Sequence, residues 1–216
     1  PYQAVIYFPG SASSWLSSSE DLESYYEFSM FLSFLVRNGR AVLYPVYKGT
    51  FDRVFPGQPG MSETHQYTEY LTHLVKDFRR SIDYLETRPD IDSRKLAYYG
   101  MSWGSWLGGL IPAVEERLAA SVLVGGGLKS GRARPEASQI NYVTRVRTPT
   151  LLLNGRYDSN YPPETSAQPM IDLLGTPPEH KRLILYETDH IPPRAEYIKE
   201  ILAWLDKYLG PVGRRR

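Results

Sequence analysis

No cysteine occurs anywhere in the 216 residues. That removes disulfides, thiolate metal ligands and a cysteine nucleophile, without choosing a compartment. A charge bias is absent too: 25 Lys and Arg stand against 24 Asp and Glu, a formal net charge of +1. Neither nucleic acid nor an anionic membrane is therefore an expected partner. No apolar run approaches the roughly 20 residues that span a bilayer, so membrane insertion is not expected, and no stretch reads as a signal peptide. Internal repeats and a linker composition are also lacking. The chain reads as one domain, residues 1–210, large enough to bury a full core, followed by a basic tail at residues 211–216.

What is present is an alternation of two periodicities. Ala4–Phe8, "AVLYPVY" from Ala41, "KLAYYG" from Lys95, "SVLVGG" from Ser121, "TPTLLLNG" from Thr148 and "RLILYE" from Arg182 are short β-rich apolar runs bounded by Gly, Pro or polar residues. Between them lie helical patterns. "SEDLESYYEFSMFLSFLVRNG" stops at Asn38 and Gly39, and a stripe of Tyr67, Leu71, Leu74, Phe78, Ile82 and Leu85 ends before Pro89. Further helical patterns cover Trp103 to Leu118, with a kink or early end expected near Ile111 because of Pro112, then Glu164 to Leu174 and Arg194 to Leu209. Strands alternating with helices of this length predict an α/β fold: a mostly parallel sheet of about six strands with helices on both faces. The segment from Gly125 to Pro149 holds no long apolar helix, so no large lid is expected. The chain opens directly on "QAVIYFPG", a strand already running. N-terminal strands of the full fold, and with them a leader or partner domain, are expected to precede it.

Chemistry enters at "KLAYYGMSWGSWLGG", where Ser102 occupies the centre of GxSxG. The pattern alone is weak. Its setting is not, because an apolar strand leads into it and a helical pattern leads out. That is the strand, sharp turn, helix arrangement that lifts a serine hydroxyl clear of a sheet and aims it past the free N–H groups of a helix start. The alternative, a phosphate-binding turn, lacks GxGxxG and a Walker lysine.

A serine hydroxyl needs a base. Of the four histidines, His65 and His73 lie in or beside the long helix, and His180 lies in a polar loop where solvent exposure is expected. His190 follows the last strand in "LILYETDHIPP", a carboxyl-end loop, and is the candidate base. Asp158 in "LLLNGRYDSNYP" follows the fifth strand and can meet it, since carboxyl-end loops of neighbouring parallel strands converge. Asp189 adjoins His190 and reads better as a turn or capping carboxylate; Glu187 is a weaker rival of the same kind. Chain order is then Ser, Asp, His.

Together "GMSWG", "LLLNGRYDSNYP", "ETDHIPP" and the strand order, which covers nearly the whole chain, resemble the α/β-hydrolase superfamily. Within it they resemble the dienelactone hydrolase-like and prolyl oligopeptidase-like serine esterase branch. The resemblance implies a serine carboxylesterase that needs neither metal nor organic cofactor. It also implies an oxyanion hole of backbone N–H groups. The family's loop after the first strand often reads HG, whereas this chain has "YFPGSASSW", so Ser11 is assigned together with Trp103, with Ala12 as the alternative one residue on. Similar domains also occur at the C-terminal ends of multidomain bacterial proteins, which fits the abrupt start. Because dienelactone hydrolases proper use cysteine, ordinary short-chain or small aromatic esters are the expected substrates. A serine peptidase or other acyl transferase on the same scaffold is the second reading, and a non-catalytic interaction domain the third. Trp15, Tyr47, Phe51, Phe55, Tyr157 and Tyr161 are candidate pocket aromatics. Arg53, Arg132, Arg134 and Arg156 are candidates for binding an acidic group but read better as solvated surface.

Overall fold

The computed structural model describes residues 1–55 and 60–213. Residues 56–59, between the second apolar run and the Tyr67 stripe, and 214–216 of the expected basic tail, lie outside the described residues.

Six strands form one sheet, and every pairing is parallel. They are β1 (Tyr2–Phe8), β2 (Ala41–Leu43), β3 (Ile91–Met101), β4 (Leu118–Val124), β5 (Thr150–Gly155) and β6 (Lys181–Tyr186), in spatial order β2-β1-β3-β4-β5-β6. All six expected strands are present. The second ends at Leu43 rather than Tyr47, because Pro45 has no N–H to give a ladder.

The helices are α1 (Ser33–Arg37), entered through a π-type turn at Phe28–Leu32, α2 (His65–Glu86), α3 (Trp103–Leu107), α4 (Ile140–Val143), α5 (Gln168–Leu173) and α6 (Arg194–Leu209). α2 follows its sequence pattern closely. Its predicted stripe is buried, with Tyr70 added, and Thr64 caps it by accepting the Tyr67 N–H. The expected helix from Trp103 to Leu118 is much shorter. α3 stops at Leu107, a turn follows through Gly108 and Gly109, and Ile111–Ala113 form a single 3₁₀ turn. Pro112 was expected to break the helix near Ile111, but the two glycines end it a turn earlier. Between β4 and β5 lie only a 3₁₀ turn, Pro135–Ala137, and the four-residue α4.

Alternating side chains divide the core in two. Ile6, Phe8, Leu96 and Tyr98 pack beneath α2, α3 and α5, while Val5, Tyr7, Ala97 and Tyr99 pack beneath α1 and α6. This double cover is what an all-parallel sheet requires. The chain passes from β1 to β2 over one face, then returns over the other through α2 to place β3 on the far side of β1. At such a reversal the connections leave in opposite directions and open a crevice at the carboxyl ends of the strands, here between β1 and β3.

Candidate active site

The crevice is lined by loops that follow β1, β3, β4, β5 and β6. Ser102 comes directly after β3 with φ +50° and ψ −102°, one of two non-glycine residues with positive φ among the described residues. Such a conformation costs about 1–3 kcal/mol and persists only where the surroundings enforce it. Here the Ser102 N–H donates to the Val124 carbonyl, the Ser102 carbonyl accepts the Trp106 N–H, and the Tyr98 hydroxyl donates to the Gly104 carbonyl from below. The glycines of the motif are steric necessities. A Cβ on Gly100 would sit 2.3 Å from the Gly104 oxygen, and one on Gly104 would sit 2.2 Å from the Phe8 oxygen.

His190 meets both Ser102 and Asp158 at the strand ends. The His190 Nε2 lies 2.9 Å from Ser102 Oγ, and its Nδ1 lies 2.8 Å from Asp158 Oδ2. Since a carboxylate only accepts, Nδ1 is the donor to Asp158, and in the neutral imidazole Nε2 keeps a lone pair facing the serine hydroxyl. Asp158 is 2 % exposed, and its other oxygen accepts the amides of Asn160 and Tyr161. Burial pushes its carboxyl upward, but the His190 hydrogen bond and charge, with the two amides, outweigh that and hold it below the usual carboxylate range. The acid and histidine loops are also joined by main chain: Arg156 and Tyr157 donate their N–H groups to the carbonyls of Tyr186 and Thr188.

Asp189 does not reach the imidazole. Its carboxylate accepts the His190 N–H, a turn role. Glu187 binds Arg156 and Tyr157 on the exposed side. Of the remaining histidines, His65 begins α2 and is exposed, and His73 is a half-buried helix residue 3.9 Å from Glu69. His180 is not solvent-exposed as expected. It is half-buried, with Nδ1 2.9 Å from the Tyr208 hydroxyl.

The loop after β1 lies against the elbow. The Pro9 carbonyl accepts the Gly104 N–H, while the Gly10 carbonyl accepts both the N–H and the hydroxyl of Ser13. A trans peptide puts the Ser11 N–H on the side opposite that carbonyl. Among the described residues no main-chain acceptor binds the N–H of Ser11, Ala12 or Trp103. Around them lies a cavity of about 290 Å³ whose lining includes Ser11, Ala12, Ser102, Trp103, Tyr161 and His190. A second hollow of about 320 Å³ adjoins it through Ser11, Trp103 and Lys129, and is walled by Trp15, Tyr67, Tyr70 and Trp106.

The expected pocket aromatics separate into groups. Tyr161 lines the first cavity, and Trp15, 80 % exposed, borders the second. Tyr47 does not line either one. It is fully buried, stacked on Phe8 at 4.0 Å, and donates its hydroxyl to the Tyr7 carbonyl, because the chain turns inward once β2 ends. Phe51 is also buried, edge-on to Tyr25 and Tyr44, and its N–H supports the loop after β1 through the Ser13 carbonyl. Phe55 packs on Tyr70, and Tyr157 faces outward to Glu187. None of the four arginines lines either cavity: Arg53 binds Asp77, Arg156 binds Glu187, Arg134 binds the Glu63 carbonyl, and Arg132 is exposed.

Sequence reasoning missed three contributors. Lys129 lines both cavities and stands over the Tyr161 ring at 5.2 Å. Trp106 adds an apolar wall to the second. Glu27, fully buried, accepts the Gly10 N–H; its signal was a charged residue one helical turn before the apolar Phe31 and Leu32 in the first helical pattern.

A family model described as the dienelactone hydrolase family matches residues 33–190. Comparison with curated proteins finds no match. Among solved structures, the chain resembles TT1662 from Thermus thermophilus, with a TM-score of 0.71 at 17% identity over 100% of this chain and 91% of that one. It also resembles a cold-adapted esterase from an Arctic intertidal metagenomic library, with a TM-score of 0.69 at 17% identity over 96% and 82%. A third likeness is to acetyl xylan esterase 1 from Thermoanaerobacterium sp. JW/SL YS485, with a TM-score of 0.69 at 18% identity over 96% and 75%. At such identities the likeness is one of fold.

Proposed function

Because the chain belongs to the dienelactone hydrolase family of ester-hydrolysing enzymes, we propose that it is a serine carboxylesterase in which Ser102 is the nucleophile, His190 the general base and Asp158 the orienting carboxylate. The observation that carries this reading is the continuous relay of 2.9 Å from Ser102 Oγ to His190 Nε2 and 2.8 Å from His190 Nδ1 to Asp158. Nothing about folding requires those three residue types at three separate strand ends.

Ser102 Oγ attacks the ester carbonyl as its proton passes to His190 Nε2. The negative charge that develops on the carbonyl oxygen is met by the N–H groups of Ser11 and Trp103. In support, the Gly10 N–H is occupied by Glu27 and the Gly10 carbonyl by Ser13, so the Ser11 amide is the first one on the loop free to turn toward the crevice. Collapse of the tetrahedral adduct expels the alcohol, protonated by His190, and leaves an acyl group on Ser102. Water, deprotonated in turn by His190, attacks the acyl-enzyme and releases the acid. Asp158 stays ionised throughout and balances the imidazolium.

The modest cavity beside Ser102 and its aromatic neighbour support short-chain acyl or small aromatic esters as substrates. The test is p-nitrophenyl acetate and butyrate hydrolysis by the wild type beside Ser102→Ala. Equal rates in the two would overturn the assignment.

A further inference from the structure

One buried ionisable group takes no part in the proton relay. Glu27 sits just before the π-type turn that leads into α1, completely shielded from solvent. Burying a carboxylate costs several kcal/mol unless hydrogen bonds replace its hydration. Its Oε2 accepts the Tyr7 hydroxyl at 2.9 Å, and its Oε1 accepts the Gly10 N–H at 3.1 Å and, at 3.4 Å, the Tyr26 hydroxyl. An apolar residue would avoid that cost but would leave the buried Tyr7 hydroxyl and Gly10 N–H without these acceptors, so the carboxylate is there for the groups it binds.

Its target explains why. Gly10 is the residue before Ser11, and its position is tight. A Cβ added to it would lie 2.8 Å from Glu27 Oε1 and 3.7 Å from Ser102 Cβ. The carboxylate therefore grips the loop where that loop passes close to Ser102. From the other side, Ser13 holds the Gly10 carbonyl through its N–H and its hydroxyl. With the N–H and C=O of one residue both fixed, neither flanking peptide plane can rotate, and the direction of the Ser11 N–H is set before substrate arrives.

We propose that Glu27 is a positioning residue for the oxyanion hole: through Gly10 it holds the loop after β1 so that the Ser11 amide is preorganised for the transition state. The proposal rests on the serine esterase reading above. Glu27 itself touches no reacting atom. Burial pushes its carboxyl upward, against the hydrogen bonds from Tyr7, Gly10 and Tyr26.

The experiment compares Glu27→Leu, Glu27→Gln and Thr176→Val, with p-nitrophenyl butyrate as substrate. Thr176 is a matched control: its buried hydroxyl bonds the Val146 and Thr148 carbonyls ahead of β5, away from the site. Glu27→Leu is expected to lower kcat about 30- to 100-fold with KM within about threefold, since one oxyanion donor is worth about 10²–10³ in rate. Affinity for a trifluoromethyl ketone, which forms the tetrahedral adduct, should fall by the same factor. Glu27→Gln, which keeps one acceptor for Gly10 but loses the charge, should lower kcat and ketone affinity about three- to tenfold, and Thr176→Val should lose melting temperature while keeping kcat within about twofold. Should Glu27→Leu not fold, the glutamine variant decides: a wild-type kcat and unchanged ketone affinity there overturn the proposal. So does a leucine variant whose kcat matches that of Thr176→Val, or one that changes KM alone. Ser102→Ala separates the two levels. Hydrolysis that survives that change sinks the esterase mechanism, whereas full activity in Glu27→Leu beside an inactive Ser102→Ala sinks only the role of Glu27.

Discussion

The ring of Tyr161 lies parallel to that of His190, with 15° between their planes and 6.0 Å between their centres. Tyr161 is 2 % exposed, and its amide is also one of the two that bind Asp158. One residue thus flanks the imidazole with its side chain and steadies the carboxylate with its main chain. Tyr161→Phe keeps both contacts and is expected to retain kcat within about twofold. Tyr161→Ala frees the imidazole to tilt and should lower kcat/KM about tenfold in p-nitrophenyl butyrate hydrolysis. Equal loss in both variants would place the effect in the hydroxyl instead.

Asp158→Asn retains the shape of the acid but donates where the carboxylate accepts, favouring the wrong imidazole tautomer. A fall in kcat of about 10⁴ is expected. The variant also bears on stability. The Asp158 carboxyl is held below its ordinary value in the fold, so its contribution is fully present above the unfolded pKa of about 3.9 and is lost as pH falls through the lower folded value. Thermal melts of wild type and Asp158→Asn should therefore converge as pH drops below about 4, and a constant gap at every pH would contradict the shift.

Gly104→Ala tests the elbow. Its new Cβ would lie 2.2 Å from the Phe8 oxygen, main chain that cannot swing aside. A loss of about 3 kcal/mol or more is expected in urea unfolding. A variant as stable as wild type would show that β1 and α3 can separate.

The Trp103 side chain is distinct from its amide. The ring stands edge-on to Phe8 and parallel to Tyr70, between the two cavities. Trp103→Ala keeps the N–H, so kcat for p-nitrophenyl acetate should remain within about threefold. KM for p-nitrophenyl benzoate should rise about tenfold through lost apolar contact. A rise of equal size for acetate would argue against an aromatic acyl site there.

Much of the frame was legible because period and punctuation agreed. The six apolar runs became six parallel strands, and the stripe from Tyr67 to Leu85 became the buried face of α2. Ser102, Asp158 and His190 could be brought together because parallel strands end on one side, so that sequence position after a strand is also position in space. What could not be read depends on which way a side chain turns after its strand has ended. Tyr47 and Tyr161 both follow strands and both are aromatic. One rotates into the core beneath β1 and the other onto the histidine. Glu27 was hidden for a related reason: a charge on an apolar stripe reads as a flaw in the pattern until the Gly10 amide opposite it is seen.

The Ser102 and His190 side chains meet across 88 positions of sequence, and Asp158 meets His190 across 32. Between the serine and the histidine the chain lays down three further strands, β4 to β6, each docking on the last. Closing so long a loop carries an entropic cost that the intervening strand pairings offset, so the relay is expected to form late in refolding. Recovery of hydrolysis after dilution from denaturant is thus expected to run behind any signal that reports on α2 or on β1 and β3 alone, and coincident recovery would contradict this order.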